Sequence, residues 1–259
     1  MRFIHASSLG LGSLAGLLIA GLLYSVTGLA ALDHGFCAGE QPRARAALQR
    51  IEREWPLRGS GDRVTRFVQS LGERIAQRYE GGQSGGTIPW RFALVRNLAP
   101  NAFSVGAGHV FVTDGAVSFA RTESELAAIL AHEMGHQLAG HFCGSRYYDE
   151  SRSWFDIFSS PKVERDEVGV GSLNQVIDPV KEQQADQYAV SILRAAGYDP
   201  RAMLDVARRL PAGEATHLVD PRRIQALQRL VGDLPPAGHR DSPDFQAIKS
   251  ILDREGALR

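Results

Sequence analysis

The sequence has no excess of charge of either sign, since 29 lysines and arginines are balanced by 29 aspartates and glutamates. No overall field therefore favours a nucleic acid or an anionic membrane, and we expect no nucleic-acid partner. Internal repeats and low-complexity runs are also absent, so nothing indicates a solenoid. The chain has 259 residues, 44% of them hydrophobic and 22% charged, which is typical of a globular protein with one large domain or two small ones.

One long apolar run stands at the N-terminus. Arg2 is followed by an uncharged stretch from Leu9 to Leu32, and small residues occupy the outer positions of 28–30. We interpret residues 1–31 as an export signal peptide with a cleavage site at 28–30. Because the run is long for a signal core, an uncleaved membrane anchor is the alternative. In both cases residues 32–259 are expected outside the cytoplasm as a single domain.

Cysteine is scarce, with only Cys37 and Cys143 in the chain. In an exported protein these two could form one disulfide, which would tie the mature N-terminus to the end of a histidine-bearing helix. Two buried free thiols fit the sequence equally well.

Apolar periodicity predicts a mainly helical α+β fold with a small β-sheet or hairpin. The predicted helices cover 42–55, 62–80, 123–142, 180–196, 201–209, 221–231 and 243–254. Strand composition marks 88–95 and 102–113, and the second segment is expected to form a hairpin at its Gly-Ala-Gly insert. Residues 143–178 are irregular, and so long a segment inside a domain is typical of a functional element such as a lid.

The segment "AHEMGHQLAGH" at 131–141 contains the first candidate site residues. His132 and His136 are four positions apart on a predicted helix, so they project about 40° apart on one face, as two ligands of one metal require. The helix is apolar or small on every side and is therefore predicted to be buried. Buried histidines and a buried Glu133 are costly unless they are paired or metal-bound.

His141 is predicted to differ from the other two histidines. On a regular helix it would lie about 140° from His136, so it could not join the metal. We expect a structural role for it, such as a hydrogen bond that closes the helix C-terminus or the following loop.

A catalytic zinc site needs a third protein ligand besides water. In the helix over 180–196, Glu182 and Asp186 point in the same direction as the apolar residues, towards the core. We predict that Glu182 is the third ligand and that Asp186 orients a zinc histidine, His132. The alternative is an acidic pair that meets an arginine in the interior.

Four segments together resemble the HtpX-like and prenyl-protein-protease-like zinc endopeptidases, which are gluzincins with a glutamate as third ligand. They are "NAFSVGAGHVFVTDG" (101–115), "ELAAILAHEMGHQLAGH" (125–141), "KEQQADQYAVSILRAAGYDP" (181–200) and "THLVDPRRIQAL" (216–227). They occur in the family's order within a core of about 60–232, and the chain is most similar to compact members exported to the bacterial periplasm.

This resemblance implies a zincin-type metalloprotease domain with one Zn²⁺ per chain. It assigns the ligands to His132, His136 and Glu182 and makes Glu133 the general base. It also implies that the strand formed by Asn101, Ala102 and Phe103 borders the active-site cleft, where a substrate could add as a further strand.

In the last segment, His217 and Arg223 match positions near the metal in similar proteins. His217 could stabilise the oxyanion or occupy the open position of the metal in a latent state, and a surface loop histidine is the alternative. Leu218 stands where the family commonly has proline, which weakens this match. Arg223 could contact the tetrahedral intermediate or the substrate backbone.

The resulting expectation is a zinc metalloendopeptidase for misfolded or misassembled cell-envelope proteins. Its partners would be unfolded or membrane-associated polypeptides in the periplasm, with inner-membrane association if the N-terminus is retained. The alternative is a periplasmic chaperone-like binding protein with a latent or structural zinc site. A zinc carrier without hydrolase activity has only the ligands to support it.

Overall fold

The computed structural model describes residues 36–37, 39–80, 88–143, 178–210, 220–234, 238 and 241–257. These residues all lie within one compact unit, 31–259. The predicted signal or anchor (1–31) and nearly all of the predicted lid lie outside the described residues. Within the described ranges, no helix combines the length and apolar character needed to span a membrane.

The described part of the chain contains eight α-helices and three strands. The helices are α1 (Glu40–Glu54), α2 (Arg63–Glu80), α3 (Asp114–Phe119), α4 (Glu123–Leu138), α5 (Pro179–Ala196), α6 (Ala202–Ala207), α7 (Pro221–Gly232) and α8 (Pro243–Ala257). The strands are β1 (Arg91–Val95), β2 (Ala102–Ser104) and β3 (His109–Thr113). This architecture confirms the predicted α+β class. Helix α3 was not predicted; it begins at the residue directly after β3 and is six residues long.

The three strands form one mixed sheet with the order β1-β3-β2. Strand β1 is parallel to β3, whereas β2 is antiparallel to β3 and places Phe103 opposite Phe111. The predicted hairpin is confirmed, and its turn has φ values of 87°, 52° and 79° at Gly106, Ala107 and Gly108. Glycine adopts this left-handed conformation without steric cost, which explains the two glycines that flank Ala107.

Helix α4 is the central element of the core. Leu126, Leu130 and Met134 are fully buried, and so are the three alanines of the helix at 127, 128 and 131. The helix packs against α5 and α6 as well as against β2 and α2. The prediction of a helix buried on all sides is therefore confirmed, and its polar residues lie in the protein interior.

Local capping sets the ends of the two helices that bear the predicted site. Thr122 Oγ1 accepts a hydrogen bond from the backbone N–H of Glu125, which begins α4. Asp178 accepts one from the N–H of Val180, and Pro179 supplies the preset φ of the first turn of α5. Helix α5 ends at Gly197, whose φ of 79° no longer continues a helix.

A disulfide and a hydrogen bond link α1 and the residues before it to the C-terminal end of α4 and the turn that follows. Cys37, which precedes α1, forms a disulfide with Cys143 in the 3₁₀ turn His141–Cys143. Gln137 Nε2 donates a hydrogen bond to Glu40 Oε1 at 2.8 Å, and Glu40 is fully buried. These contacts position the 3₁₀ turn next to the residues predicted to bind metal.

Candidate metal centre and active site

Two neighbouring helices bring His132, His136 and Glu182 into one buried group. The Nε2 atoms of the two histidines of α4 are 3.2 Å apart. Glu182 reaches them from the first turn of α5, with Oε2 at 3.4 Å from His132 Nε2 and Oε1 at 3.3 Å from His136 Nε2. All three side chains are at most 6% exposed.

The spacing of these three donors fits a tetrahedral zinc ion. Zinc bonds to imidazole nitrogen and carboxylate oxygen are about 2.1 Å long, so two ligand atoms of a tetrahedral site lie about 3.4 Å apart. The separations of 3.2, 3.4 and 3.3 Å agree with this value. Two histidines and one glutamate are also a donor set used by catalytic zinc, which leaves a fourth position for water. The group could therefore hold a metal ion.

The close approach of α4 and α5 depends on Gly135. A Cβ atom added at this position would lie 2.5 Å from the backbone oxygen of Ala185, which is closer than real Cβ contacts allow. The absence of a side chain lets the helix that bears the histidines rest directly on the helix that bears Glu182. The sequence reasoning did not identify Gly135, although a glycine inside a predicted helix indicates close packing.

Gly135→Ala is expected to push the two helices apart, because the contacted atom belongs to the backbone and cannot rotate away. Overpacking of this kind lowers the free energy of unfolding by about 1–3 kcal/mol, and zinc binding should weaken as Glu182 moves away from the histidines. Urea unfolding and chelator competition measure the two effects. Gly232→Ala in α7 is the control, since a Cβ there meets nothing within 4 Å. Equal behaviour of the two variants would contradict the role of Gly135.

Asp186 lies behind His132, on the side away from Glu182. Its Oδ1 is 3.0 Å from His132 Nδ1, the ring nitrogen that does not face His136. Burial alone would raise the pKa of the Asp186 carboxyl, but the charge of Arg223 and the hydrogen bond with His132 hold it below its ordinary value. A carboxylate in this position keeps the proton of His132 on Nδ1 and leaves Nε2 free to bind a metal.

Arg223 of α7 binds both acidic residues of α5. Its Nε and Nη2 donate to the two oxygens of Asp186, each at 2.8 Å, and its Nη1 donates to Glu182 Oε2 at 2.8 Å. The guanidinium is 7% exposed. The sequence left two interpretations of Glu182 and Asp186, namely a metal ligand with a histidine partner or an acidic pair that meets an arginine. Both hold, because the same carboxylates face the histidines on one side and Arg223 on the other.

The histidines respond differently to burial. For His132, burial disfavours the charged ring, but the carboxylates of Asp186 and Glu182 that face it outweigh burial and raise the pKa. For His136, burial outweighs the attraction of the Glu182 carboxylate, and the pKa is lowered. The difference arises because His132 has a carboxylate at each ring nitrogen, whereas His136 contacts Glu182 at one ring nitrogen and its charged form is disfavoured by the charge of His132.

Glu133 is buried at 2% exposure and is not part of the three-residue donor group. The hydroxyl of Ser104 in β2 donates to the backbone oxygen of Glu133 at 2.9 Å and lies 3.3 Å from Glu133 Oε2. Ser104 thus couples the edge of the sheet to this carboxylate. The sequence reasoning did not single out Ser104, although it lies in the segment predicted to border the cleft.

A largely apolar cavity opens beside His132 and Glu133. Its other lining residues are Pro100, Asn101, Ala102, Ala116, Phe119, Ile129, Met203, Val206, Leu210 and Arg223. Of the predicted cleft strand, the structure brings Asn101 and Ala102 to this cavity but not Phe103. Ala102 and Phe103 are consecutive in β2, so their side chains lie on opposite faces of the sheet, and the Phe103 ring stacks on Phe111.

His141 does not point away from the site, and this part of the prediction is wrong. The prediction assumed a regular helix to residue 142, whereas α4 ends at Leu138 and Gly140 adopts a φ of 69°. The reversed chain brings His141 Nδ1 to 2.8 Å from His136 Nδ1. Burial lowers the pKa of His141 to about 4, so its ring is neutral at pH 7. Gly140 was the available signal, since glycine directly after a helix commonly ends it.

His217 lies in the segment 211–219, outside the described residues. Its predicted position near the metal therefore has no structural counterpart in the part of the chain that the structure describes.

A mainly helical domain with such a donor group, and with a glutamate directly after the first histidine, is typical of zinc metallopeptidases. The chain belongs to peptidase family M48, whose profile matches residues 62–163 and 169–231. This membership confirms the resemblance inferred from the four segments. It also disfavours the alternative of a chaperone-like binding protein, because the family is one of peptidases.

Curated relatives agree with the family. The chain is 26% identical to the beta-barrel assembly-enhancing protease of Escherichia coli (strain K12) over 225 residues, which cover 75% of this chain and 45% of the relative. It is 24% identical to the mitochondrial metalloendopeptidase OMA1 of Schizosaccharomyces pombe over 203 residues, which cover 69% of this chain and 59% of the relative. The chain thus spans about half the length of these relatives.

Proposed function

We propose that this protein is a zinc-dependent endopeptidase that hydrolyses peptide bonds in unfolded or misassembled proteins of the cell envelope. The observation that supports the proposal most strongly is the spacing of 3.2–3.4 Å among the donor atoms of His132, His136 and Glu182. This spacing suits one zinc ion per chain, with each of the three side chains as a ligand.

In this proposal Glu133 is the general base. His132, His136 and Glu182 would hold the zinc ion, which would supply a Lewis acid for the scissile carbonyl and the attacking water. Glu133 follows the first ligand directly in the helix, so its carboxylate lies beside the site without being needed as a ligand. It accepts the proton of the water and passes it to the leaving amine.

The surrounding residues orient this machinery. Asp186 holds the ring of His132, while Arg223 holds Asp186 and one oxygen of Glu182. Ser104 restrains Glu133 through its hydroxyl. Two roles remain proposed for His217, namely stabilisation of the oxyanion and occupation of the open metal position in a latent state.

The cavity supports a polypeptide substrate. It lies next to His132 and Glu133, and most of its lining is aliphatic or aromatic, so it suits an apolar side chain adjacent to the scissile bond. Strand β2 stands at one end of the sheet order and contributes Ala102 to the cavity wall. An extended substrate could add along this strand, a binding mode that requires no defined sequence. Unfolded chains expose both apolar side chains for the cavity and extended backbone for pairing with β2.

The cellular setting is proposed from two sources. The apolar run within residues 1–31 favours export, either as a cleaved signal or as a retained anchor. One group of relatives carries the name beta-barrel assembly-enhancing protease, and we infer a related setting for this chain, among the proteins of the cell envelope. We therefore propose that this chain acts in the periplasm, free or held at the inner membrane by its N-terminus.

Removal of zinc from the purified full chain is expected to lower cleavage of an unfolded model protein by at least about 100-fold. The reason is that a metal ion contributes several kcal/mol of transition-state stabilisation, and about 1.4 kcal/mol corresponds to a factor of ten in rate. The measurement is gel-based proteolysis before chelation, after chelation and after stoichiometric zinc is returned. The same substrate in its folded form is the control and should be cleaved slowly. Undiminished cleavage by metal-free protein would refute the proposal.

A further inference from the structure

We propose that His141 and Gln184 are positioning residues that fix the tautomer of His136, so that its Nε2 carries a lone pair towards the metal. The inference rests on the proposed role of His136 as a zinc ligand. It assigns to the third histidine of the 131–141 segment, and to a polar residue of α5, a function in preparing the site.

Two short contacts form a chain of polar atoms behind His136. Its Nδ1 lies 2.8 Å from His141 Nδ1, and His141 Nε2 lies 2.9 Å from Gln184 Oε1. His136 and His141 are 3% and 4% exposed, so the contact between them is shielded from water. The chain leads from the ligand through a buried imidazole to the surface of α5, where Gln184 is exposed.

The amide oxygen of Gln184, which ends this chain of polar atoms, sets the direction of the hydrogen bonds. An amide oxygen can only accept, so His141 Nε2 must donate its proton to Gln184. A neutral imidazole has a single N–H, which leaves His141 Nδ1 as an acceptor. His136 Nδ1 must then be the donor. The proton of His136 is thereby held on Nδ1, and its Nε2, which faces His132 and Glu182, is unprotonated as a zinc ligand requires.

Each histidine ligand therefore has its own acceptor at Nδ1. The acceptor for His132 is the carboxylate of Asp186. The acceptor for His136 is the neutral imidazole of His141, which is itself oriented by the amide of Gln184. The difference follows from position, because Asp186 lies one helical turn after Glu182, while His136 is near the end of α4, next to the 3₁₀ turn that bears His141.

The turn that bears His141 is firmly held. Arg43 Nη2 donates to the backbone oxygen of Phe142 at 2.8 Å, and Cys143 is joined to Cys37 by the disulfide. Both anchors come from α1 or the residues before it, so His141 is supported by contacts that span about a hundred positions of the chain. Such support is what a positioning residue requires, since an untethered ring could not impose a tautomer on its neighbour.

Gln184→Leu is the most direct test, because the residue is exposed and its replacement leaves the core intact. Zinc affinity is expected to fall by about 10–100-fold, the usual effect of disturbing the hydrogen-bonded residues that orient a metal-bound histidine. Gln184→Glu should keep the zinc affinity of the unaltered chain, since a carboxylate also accepts a hydrogen bond from His141. Gln183→Leu is the matched control, because Gln183 is the exposed neighbour of Gln184 on α5, and it should bind zinc like the unaltered chain. Competition with a chromophoric chelator measures these affinities.

Nitrogen-15 NMR of the histidine rings in zinc-free full chain reads the tautomer directly. We expect His136 to be protonated at Nδ1 in the unaltered chain and in Gln184→Glu, and to become a tautomer mixture in Gln184→Leu. Protonation of His136 at Nε2 in the unaltered chain, or equal zinc affinity of Gln184→Leu and Gln183→Leu, would overturn the inference. Either result is separate from a failure of the proposed function, which would show as proteolysis that does not depend on zinc.

Discussion

Glu133→Gln is expected to lower the rate of peptide hydrolysis by about 10²–10⁴-fold, the usual contribution of a general base. Glutamine has nearly the same shape as glutamate and can still bond with Ser104, but its amide cannot accept the proton of the attacking water. Bound zinc should stay at one per chain, because Glu133 is outside the donor group. Proteolysis of an unfolded protein and metal analysis of the same sample measure the two quantities.

Two comparisons make this result specific to the role of a base. Glu182→Gln should lose zinc together with activity, since it removes a charged ligand from the group. Glu73→Gln, which alters an exposed glutamate of α2, should leave both quantities unchanged. The assignment of Glu133 would fail if Glu133→Gln retained its zinc and cleaved at the unaltered rate.

Arg223→Met is expected to lower the free energy of unfolding of the zinc-free protein by about 3–5 kcal/mol. The substitution leaves the buried carboxylates of Asp186 and Glu182 without the guanidinium that binds them. Zinc would compensate part of the charge at Glu182, so the loss should be smaller in the zinc-loaded protein. Urea unfolding of both forms, followed by circular dichroism, measures the difference.

The adjacent arginine provides the control for this prediction. Arg222 is exposed on the same turn of α7, and Arg222→Met should change stability by no more than about 0.5 kcal/mol. Arg223→Lys should be intermediate, because lysine keeps the charge but cannot bond to both oxygens of Asp186 in the planar fork geometry. If Arg223→Met and Arg222→Met unfolded at the same urea concentration, Arg223 would not be the counter-charge of the site.

Much of the fold was predictable from local patterns. The α2 stripe of Val64, Val68, Leu71 and Ile75 repeats at helical spacing, and all four residues are fully buried. The hairpin at 106–108 was predictable because its glycines mark a turn with positive φ. Helix α3 was missed because it follows β3 directly and was not separated from the predicted strand. The early end of α4 was missed because the pattern continues as a helix to residue 142, whereas Gly140 adopts a positive φ.

The sequence by itself determined the chemistry of the histidine helix. Residues four apart on a helix share a face wherever the helix is placed, so His132 and His136 could be paired, with Glu133 beside them, from spacing alone. The same reasoning on α5 placed Glu182 and Asp186 on one buried face. These statements hold because helical geometry is set by hydrogen bonds between residues four apart.

Only the tertiary structure decided which partners these side chains have. Arg223 meets Asp186 from 37 positions away, and Ser104 meets Glu133 from 29. Gly135 allows the approach of α4 and α5, and the turn at Gly140 brings His141 back to His136. Such contacts depend on where helices end and how closely they pack. Those quantities are set by the whole core, because each is a balance among many buried side chains that no local pattern records.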